Sequence, residues 1–396
     1  MERFIKGQDR KNIYCKKWDN KPVNGKEVLP FWIADSDYPT YEKITDKLIE
    51  RVKNATFGYT YIDDDYYNNV INWFNRRYGY KIEKENVFPT HGVLVGLTYA
   101  VHLFTKPGDK IVCSTPVYNP FFSIVKDNGR ELVFNKLVET KNENNEYTYV
   151  YDFADLEEKI KDAKIYILCN PHNPVGRVWT KEEVSKIVSL CKKYDCILVS
   201  DEIHCDLVLE GSKLESCGKY LDEYDKIIIL TAPSKTFNIA GLLITNCIIK
   251  NKEYIEAFIN YQNLLCMERP NLLALEACKA AYLDGDEWVD TQNKYLKEQS
   301  EIVKSFFEKN LPMCKVYKLE GTYLMWVDCS SFGFDQANLI DGLLQAGVRV
   351  NSGTVYCEDC KGFIRLNVAC GRSQLLEGLE RIKAFFLKEV EWCLDF

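Results

Sequence analysis

Three stretches decide the fold: IYILCNPHNPVG (165–176), ILVSDEIH (197–204) and IIILTAPSKTFN (227–238). Each opens with a short apolar run and breaks into polar and turn-forming residues, as expected of a strand buried on both faces. Ile111-Val112-Cys113 is a fourth run of the same kind. Between the first two stretches, Thr180 and Glu183 make a capping box, and Val184, Ile187, Val188 and Cys191 follow at helical spacing. Strands alternating with helices predict an α/β fold with a mostly parallel central sheet flanked by helices. Ligands of such sheets bind at the carboxyl ends of the strands. Here those ends deliver Asn173, Asp201 and Lys235 to one edge of one sheet. Taken singly, Asn173 reads as part of a turn, Asp201 as a helix cap and Lys235 as a surface lysine; their order and spacing make the constellation.

The last third of the chain changes character. Amphipathic helices over about Asp286–Lys309 and Ser373–Glu391 flank the strand-like segments Tyr323–Val327 and Gly347–Val350. This predicts a large domain over residues 46–285 and a smaller α+β domain made of residues 1–45 and 286–396. Asn142–Glu146 is polar and lies between the β-prone runs Leu132–Phe134 and Tyr147–Tyr151, so it reads as a hairpin turn. The acidic triplet Asp63–Asp65 reads as a solvated turn or a helix start.

The 396 residues are 46% hydrophobic and 28% charged, enough apolar material for a sizeable core. A net charge of −7 gives no basic footprint, which argues against nucleic acid as a partner. No apolar stretch approaches the roughly 20 residues of a membrane helix. The N-terminal Met1–Lys6 has no apolar run of the signal-peptide kind, so a cytoplasmic protein with no membrane partner is expected. The 16 cysteines are scattered, and Cys113, Cys169, Cys196 and Cys247 lie inside apolar runs, where a thiol acts as a small hydrophobe. Cys357 and Cys360 make the one tight pair, with Cys370 nearby. Without a second pair at metal-ligand spacing, they read as a surface turn and no metal site is expected.

NPHNPVGRVW (170–179), VSDEIHCDL (199–207), SKTFNIAGL (234–242), FIRLNVACGR (363–372) and TPVYNPF (115–121) together resemble the fold-type-I pyridoxal-phosphate enzymes of the class I/II aminotransferase superfamily. The resemblance covers nearly the whole chain. Within that superfamily, FGYTY (57–61), SDEIHCDL and SKTFNIAG look like the cystathionine β-lyase-type C–S lyases of the MalY/PatB branch. The resemblance implies pyridoxal 5'-phosphate as cofactor and a role for each matching residue. Lys235 is similar to the Schiff-base lysine and proton acceptor, and Asp201 to the carboxylate paired with the pyridine nitrogen. Asn173 and His204 are similar to donors to the phenolic oxygen, and Tyr118 to the ring-stacking aromatic. Gly92, Val93 and Leu94, ahead of a helical run over Val95–Phe104, match the phosphate cradle, with Ser234 adding a hydroxyl. Arg365 is similar to the arginine that grips the substrate α-carboxylate, helped by Asn173, Tyr118 and Tyr59. Tyr59, with Tyr61 as its rival, resembles the tyrosine that reaches a neighbouring subunit's phosphate, which implies a homodimer with shared sites.

One position departs from the pattern. Leu243 stands eight residues after Lys235, where many transaminases of the superfamily carry an arginine for the phosphate. That absence favours α,β-elimination of a cysteine S-conjugate such as L-cystathionine over amino-acid transamination, the second reading. A third is a cofactor-binding protein with a mainly regulatory or partner-binding role.

Overall fold

The computed structural model describes residues 1–19 and 21–394, with side chains as far as Lys388. Seven strands form the main sheet: β1 (Val87–Thr90), β2 (Lys110–Thr115), β3 (Glu131–Lys136), β4 (Ala163–Cys169), β5 (Ile197–Asp201), β6 (Ile227–Thr231) and β7 (Thr245–Ile249). They lie in the order β1-β7-β6-β5-β4-β2-β3, parallel from β6 to β3, with β7 antiparallel to both of its neighbours. The four apolar runs of the sequence are thus four adjacent central strands. Alternate side chains point to opposite faces, and both faces are dry. Ile165, Ile167 and Cys169 join one apolar cluster, while Tyr166 and Leu168 join the other.

Local signals account for the flanking helices. Thr180 caps Lys181–Lys193 through the expected box, its Oγ1 accepting from the Glu183 N–H while the Glu183 carboxylate accepts from the Thr180 N–H. Asp63 caps the helix Asp64–Tyr78 by accepting from the Tyr66 N–H, so the acidic triplet is a helix start. The late helices span Asp286–Asn310 and Arg372–Leu394. They accompany a second, antiparallel sheet of Lys315–Val316, Leu324–Asp328, Phe363–Asn367 and Asn351–Ser352.

Two expectations need correcting, the partner of the hairpin and the exposure of the cysteine turn. The turn at Asn142–Glu146 does close a hairpin, but Tyr147–Val150 pairs with Val138–Lys141, a segment too polar to read as a strand. Leu132–Phe134 belongs instead to β3 at the edge of the main sheet. The strand expected in the Gly347–Val350 run is present, Val348 and Arg349 pairing in parallel with Leu29 and Pro30 of the N-terminal arm. The Cys357–Cys360 turn is only half at the surface, because Cys360 is buried. Cys113, Cys169, Cys196 and Cys247 are buried as expected. No group of three metal-ligating side chains occurs among the described residues. No helix among them is long and apolar enough to cross a membrane.

Candidate active site

The carboxyl ends of β4, β5 and β6 open into a cavity of about 250 Å³. Asn173, Asp201, His204, Ser234 and Lys235 line it, with Gly92, Val93, Leu94 and Tyr118. Nine of the residues singled out from the sequence therefore converge on one space.

Lys235 follows β6 and is buried; its Nζ donates to the Ala34 carbonyl oxygen at 2.7 Å. Burial pulls its pKa below the usual lysine value, the Arg365 charge adds to that, and Asp35 and Asp201 oppose it. A buried amine with a lowered pKa is a ready nucleophile and base. Asp201, at the tip of β5, takes one hydrogen bond from the Ile203 N–H at 3.1 Å. Burial pushes its pKa up to about 7 against the pull of Lys235, so the carboxylate is short of a cationic partner. His204 lies edge-on to Tyr323 and is held neutral by burial, with its Nδ1 lacking any partner.

Arg365 sits on Phe363–Asn367, is 3% exposed, and reaches the cavity edge from the second sheet. Its Nη1 donates to Asn173 Oδ1 at 3.0 Å and its Nη2 to the Trp32 carbonyl oxygen at 2.6 Å. Its Nε, buried, has no acceptor. A buried guanidinium with an idle donor calls for an anion, and a planar carboxylate fits it. The Asn173 amide is oriented by the same bond, since Oδ1 faces Arg365 and Nδ2 is left to donate.

The end of the cavity beside Gly92 has the form of an anion cradle. The helix Val93–Phe104 begins there, its Gly92 cap at φ 130° with no atom within 4 Å of where a Cβ would stand. Free N–H groups at a helix start favour an anion. Leu243 lines the same cavity in a left-handed conformation and is 53% exposed. Tyr118, half-buried, has its hydroxyl pushed up to about 12 by burial and by Asp201. The donor set fits a pyridoxal phosphate: an amine, a carboxylate short of a cation, an amide donor, an aromatic ring and a helix start.

Tyr59 and Tyr61 are not brought into the cavity of their own chain. They are 89% and 81% exposed, and the Arg269 guanidinium covers the Tyr59 ring at 4.3 Å. The sequence reading missed Trp32–Asp37, a strap that crosses the site. Ala34 receives Lys235, and the Trp32 oxygen receives both Arg365 and Asn351. Asn238 and Asn367 donate to the Ser36 and Asp35 carbonyl oxygens. The strap acts through backbone carbonyls, which no side-chain motif records; its one signal is the abrupt Asp35-Ser36-Asp37 after an apolar run.

The family description Aminotransferase class I and II matches residues 26–382. Cystathionine β-lyase PatB of Bacillus subtilis is 37% identical over 387 residues, covering 96% of this chain and 99% of the relative. Among solved structures, cystalysin from Treponema denticola, which contains a pyridoxal 5'-phosphate cofactor, superposes with a TM-score of 0.91 at 35% identity, covering 98% of this chain and 99% of its own. The pyridoxal-phosphate-bound C–S lyase from Staphylococcus hominis superposes with a TM-score of 0.88 at 32% identity, over 97% and 99% of the two chains.

Proposed function

Because this chain belongs to the class I and II aminotransferase family, we propose that it is a pyridoxal-5'-phosphate-dependent C–S β-lyase. It cleaves L-cystathionine or related cysteine S-conjugates to a thiol, pyruvate and ammonia. The observation that carries the chemistry is the buried Lys235 amine set between a partner-poor Asp201 and an Arg365 with an idle donor. The likeness to lyases over almost the full chain, with Leu243 at the cavity edge, favours elimination.

When bound, the cofactor's pyridine ring supplies an electron sink for the charge left at the substrate Cα. Lys235 would hold the cofactor's aldehyde carbon, and its Nζ is the base that would take the substrate Cα proton. Asp201 would hold a proton on the ring nitrogen and so gain the cationic partner it otherwise lacks. Asn173 would donate from Nδ2 to the phenolic oxygen, and the neutral His204 has Nδ1 available for the same task. Tyr118 would pack against the ring. Gly92, Val93 and Leu94 would hold the phosphate with Ser234, the helix start standing in for the arginine absent at Leu243. Arg365 would hold the substrate carboxylate and so fix the direction of the Cα–H bond. The leaving sulfur departs from Cβ as a thiolate.

Residues 46–285 form the cofactor domain, and residues 1–45 and 286–396 a smaller domain that brings Arg365 to it. The exposed Tyr59 suits a reach into a second copy, giving a homodimer with shared sites in the cytoplasm. Cofactor-loaded protein given L-cystathionine without any keto acid should release pyruvate and thiol in equal amounts. No pyruvate, but amino transfer once a keto acid is added, would replace the lyase by an aminotransferase.

A further inference from the structure

The turn Cys357-Glu358-Asp359-Cys360 is outside the Lys235 cavity and takes no part in the chemistry above. It is tightly built. The Cys360 N–H donates to the Cys357 carbonyl oxygen at 3.1 Å and the Cys357 N–H to the Gly353 carbonyl oxygen at 3.4 Å. Gly353 packs so closely that a Cβ there would stand 2.5 Å from the Cys360 carbonyl oxygen. The two side chains differ in access: Cys357 is half-buried, and Cys360 is buried behind it. Cys360 and the Asp359 backbone N–H act on the Cys357 sulfur, as does Lys136, which pairs with Asp359. Those contacts pull the Cys357 thiol down to about 6, led by the Cys360 hydrogen bond, against burial and the Asp359 charge. Cys360 is pushed up correspondingly, with Asp328 and Asp359 adding to the push.

Among the described residues the other cysteines lack this combination. Cys15 and Cys266 are reachable, but neither shares a turn with a second cysteine. Cys314 and Cys329 stand 3.5 Å apart with a similar difference in access, but 15 residues separate them, so they do not share one tight turn. A reachable thiol backed by a buried thiol three residues further on is the arrangement of an attacking and a resolving cysteine.

We propose that Cys357 and Cys360 form a thiol–disulfide exchange site for low-molecular-weight disulfides. The Cys357 thiolate attacks one sulfur of the disulfide RSSR, forming a mixed disulfide and releasing RS⁻. The Cys360 thiol then loses its proton to solvent and displaces the second RS⁻. The net change is RSSR and a dithiol to two RSH and one Cys357–Cys360 disulfide. The turn adjoins the active site through Tyr356. That ring lies 5.0 Å from the Arg365 guanidinium, its hydroxyl accepts from Asn351, and its carbonyl oxygen accepts from the Val117 N–H beside Tyr118. Closing the disulfide therefore disturbs the carboxylate grip. This consequence rests on the reading of Arg365 given above; the exchange itself does not.

The test treats cofactor-loaded protein with oxidised glutathione and follows intact mass, peptide map and kinetics. Wild type is expected to lose two hydrogens at the 357–360 peptide and to keep no adduct. Cys360→Ser should keep one glutathione on Cys357, and Cys357→Ser should show neither change. KM for L-cystathionine should rise roughly tenfold on oxidation, with a smaller effect on kcat, and return with dithiothreitol. Modification first at Cys15 or Cys266 with Cys357 untouched, or no reaction, would overturn the site. A disulfide formed with KM unchanged would overturn its link to Arg365. The mass readout needs no turnover, so a protein that is not a lyase still tests the exchange.

Discussion

Two buried sets of charge lie on either side of the same strap, and they are built oppositely. Asp201, Lys235 and the neutral His204 face the cavity short of partners: Asp201 is pushed up to about 7, Lys235 is pulled down, and His204 Nδ1 has nothing to bond. Arg10, Lys17, Asp35 and Asp37, on the arm side, pair with one another, Lys17 and Asp37 fully buried and Arg10 and Asp35 half-buried. Lys17 Nζ sits 2.8 Å from Asp37 and 3.5 Å from Asp35, and Arg10 reaches the same two carboxylates at 3.0 and 2.9 Å. The Trp18 indole N–H adds a bond to Asp37 at 2.9 Å. Burial of charge by itself therefore says little about function. What separates the sets is whether the partners are already present: the first waits for a bound group, while the second holds the strap on which Lys235 rests.

The sharpest break between them is in activity. Lys235→Ala should lower pyruvate release by at least about 10³-fold and leave the urea midpoint of the cofactor-free protein unchanged or raised, since a strained buried amine is gone. Lys17→Met should do the reverse in kind. It leaves Asp35 and Asp37 to share the single cation Arg10 and should cost about 3 kcal/mol in urea unfolding, with turnover of the remaining folded, cofactor-loaded protein far less affected. If Lys17→Met abolished turnover at full stability, the division would fail. Arg365→Lys replaces the guanidinium fork by a point charge and should raise KM for L-cystathionine about tenfold or more, measured in the same pyruvate assay.

The smallest effect is on pH. Asp201 and Glu202 are both held near 7 in the folded chain, first by burial. Each binds its proton more tightly folded than unfolded. Their stabilisation is complete below the ordinary carboxylate range and is lost as pH rises through about 7. His204 and Lys235, whose folded pKa values are held low, act with the opposite sign, so the difference between proteins reads the carboxylate: between pH 5 and 8 the urea midpoint of cofactor-free Asp201→Asn should rise relative to wild type. Parallel profiles in the two proteins would mean that Asp201 is already charged at pH 5.

The cavity side was legible in the sequence because its residues are delivered by buried strands. An apolar run marks β4, β5 or β6, and the first polar residues after it must emerge at the sheet edge; Asn173, Asp201 and Lys235 follow directly. The helix starts at Thr180 and Asp63 were legible for the same reason, a local cap with a local cause. The arm side was not, because its ion pairs join residues 18 to 27 apart with no local pattern, and its strap meets the site across more than 200 residues through carbonyl oxygens. Nothing in the letters around Ala34 or Trp32 says that their oxygens receive Lys235 and Arg365. Strand Val138–Lys141 escaped notice because an exposed hairpin needs no apolar pattern. Cys360 was read as exposed because the packing of Gly353 against it is tertiary.

The most direct test of the account is where the cofactor attaches. Cofactor-loaded protein reduced with borohydride, digested and mapped by mass spectrometry should carry the pyridoxyl group on Lys235 alone, and the Lys235→Ala variant should carry none. A pyridoxyl group on any other lysine, or none on wild type, would contradict it.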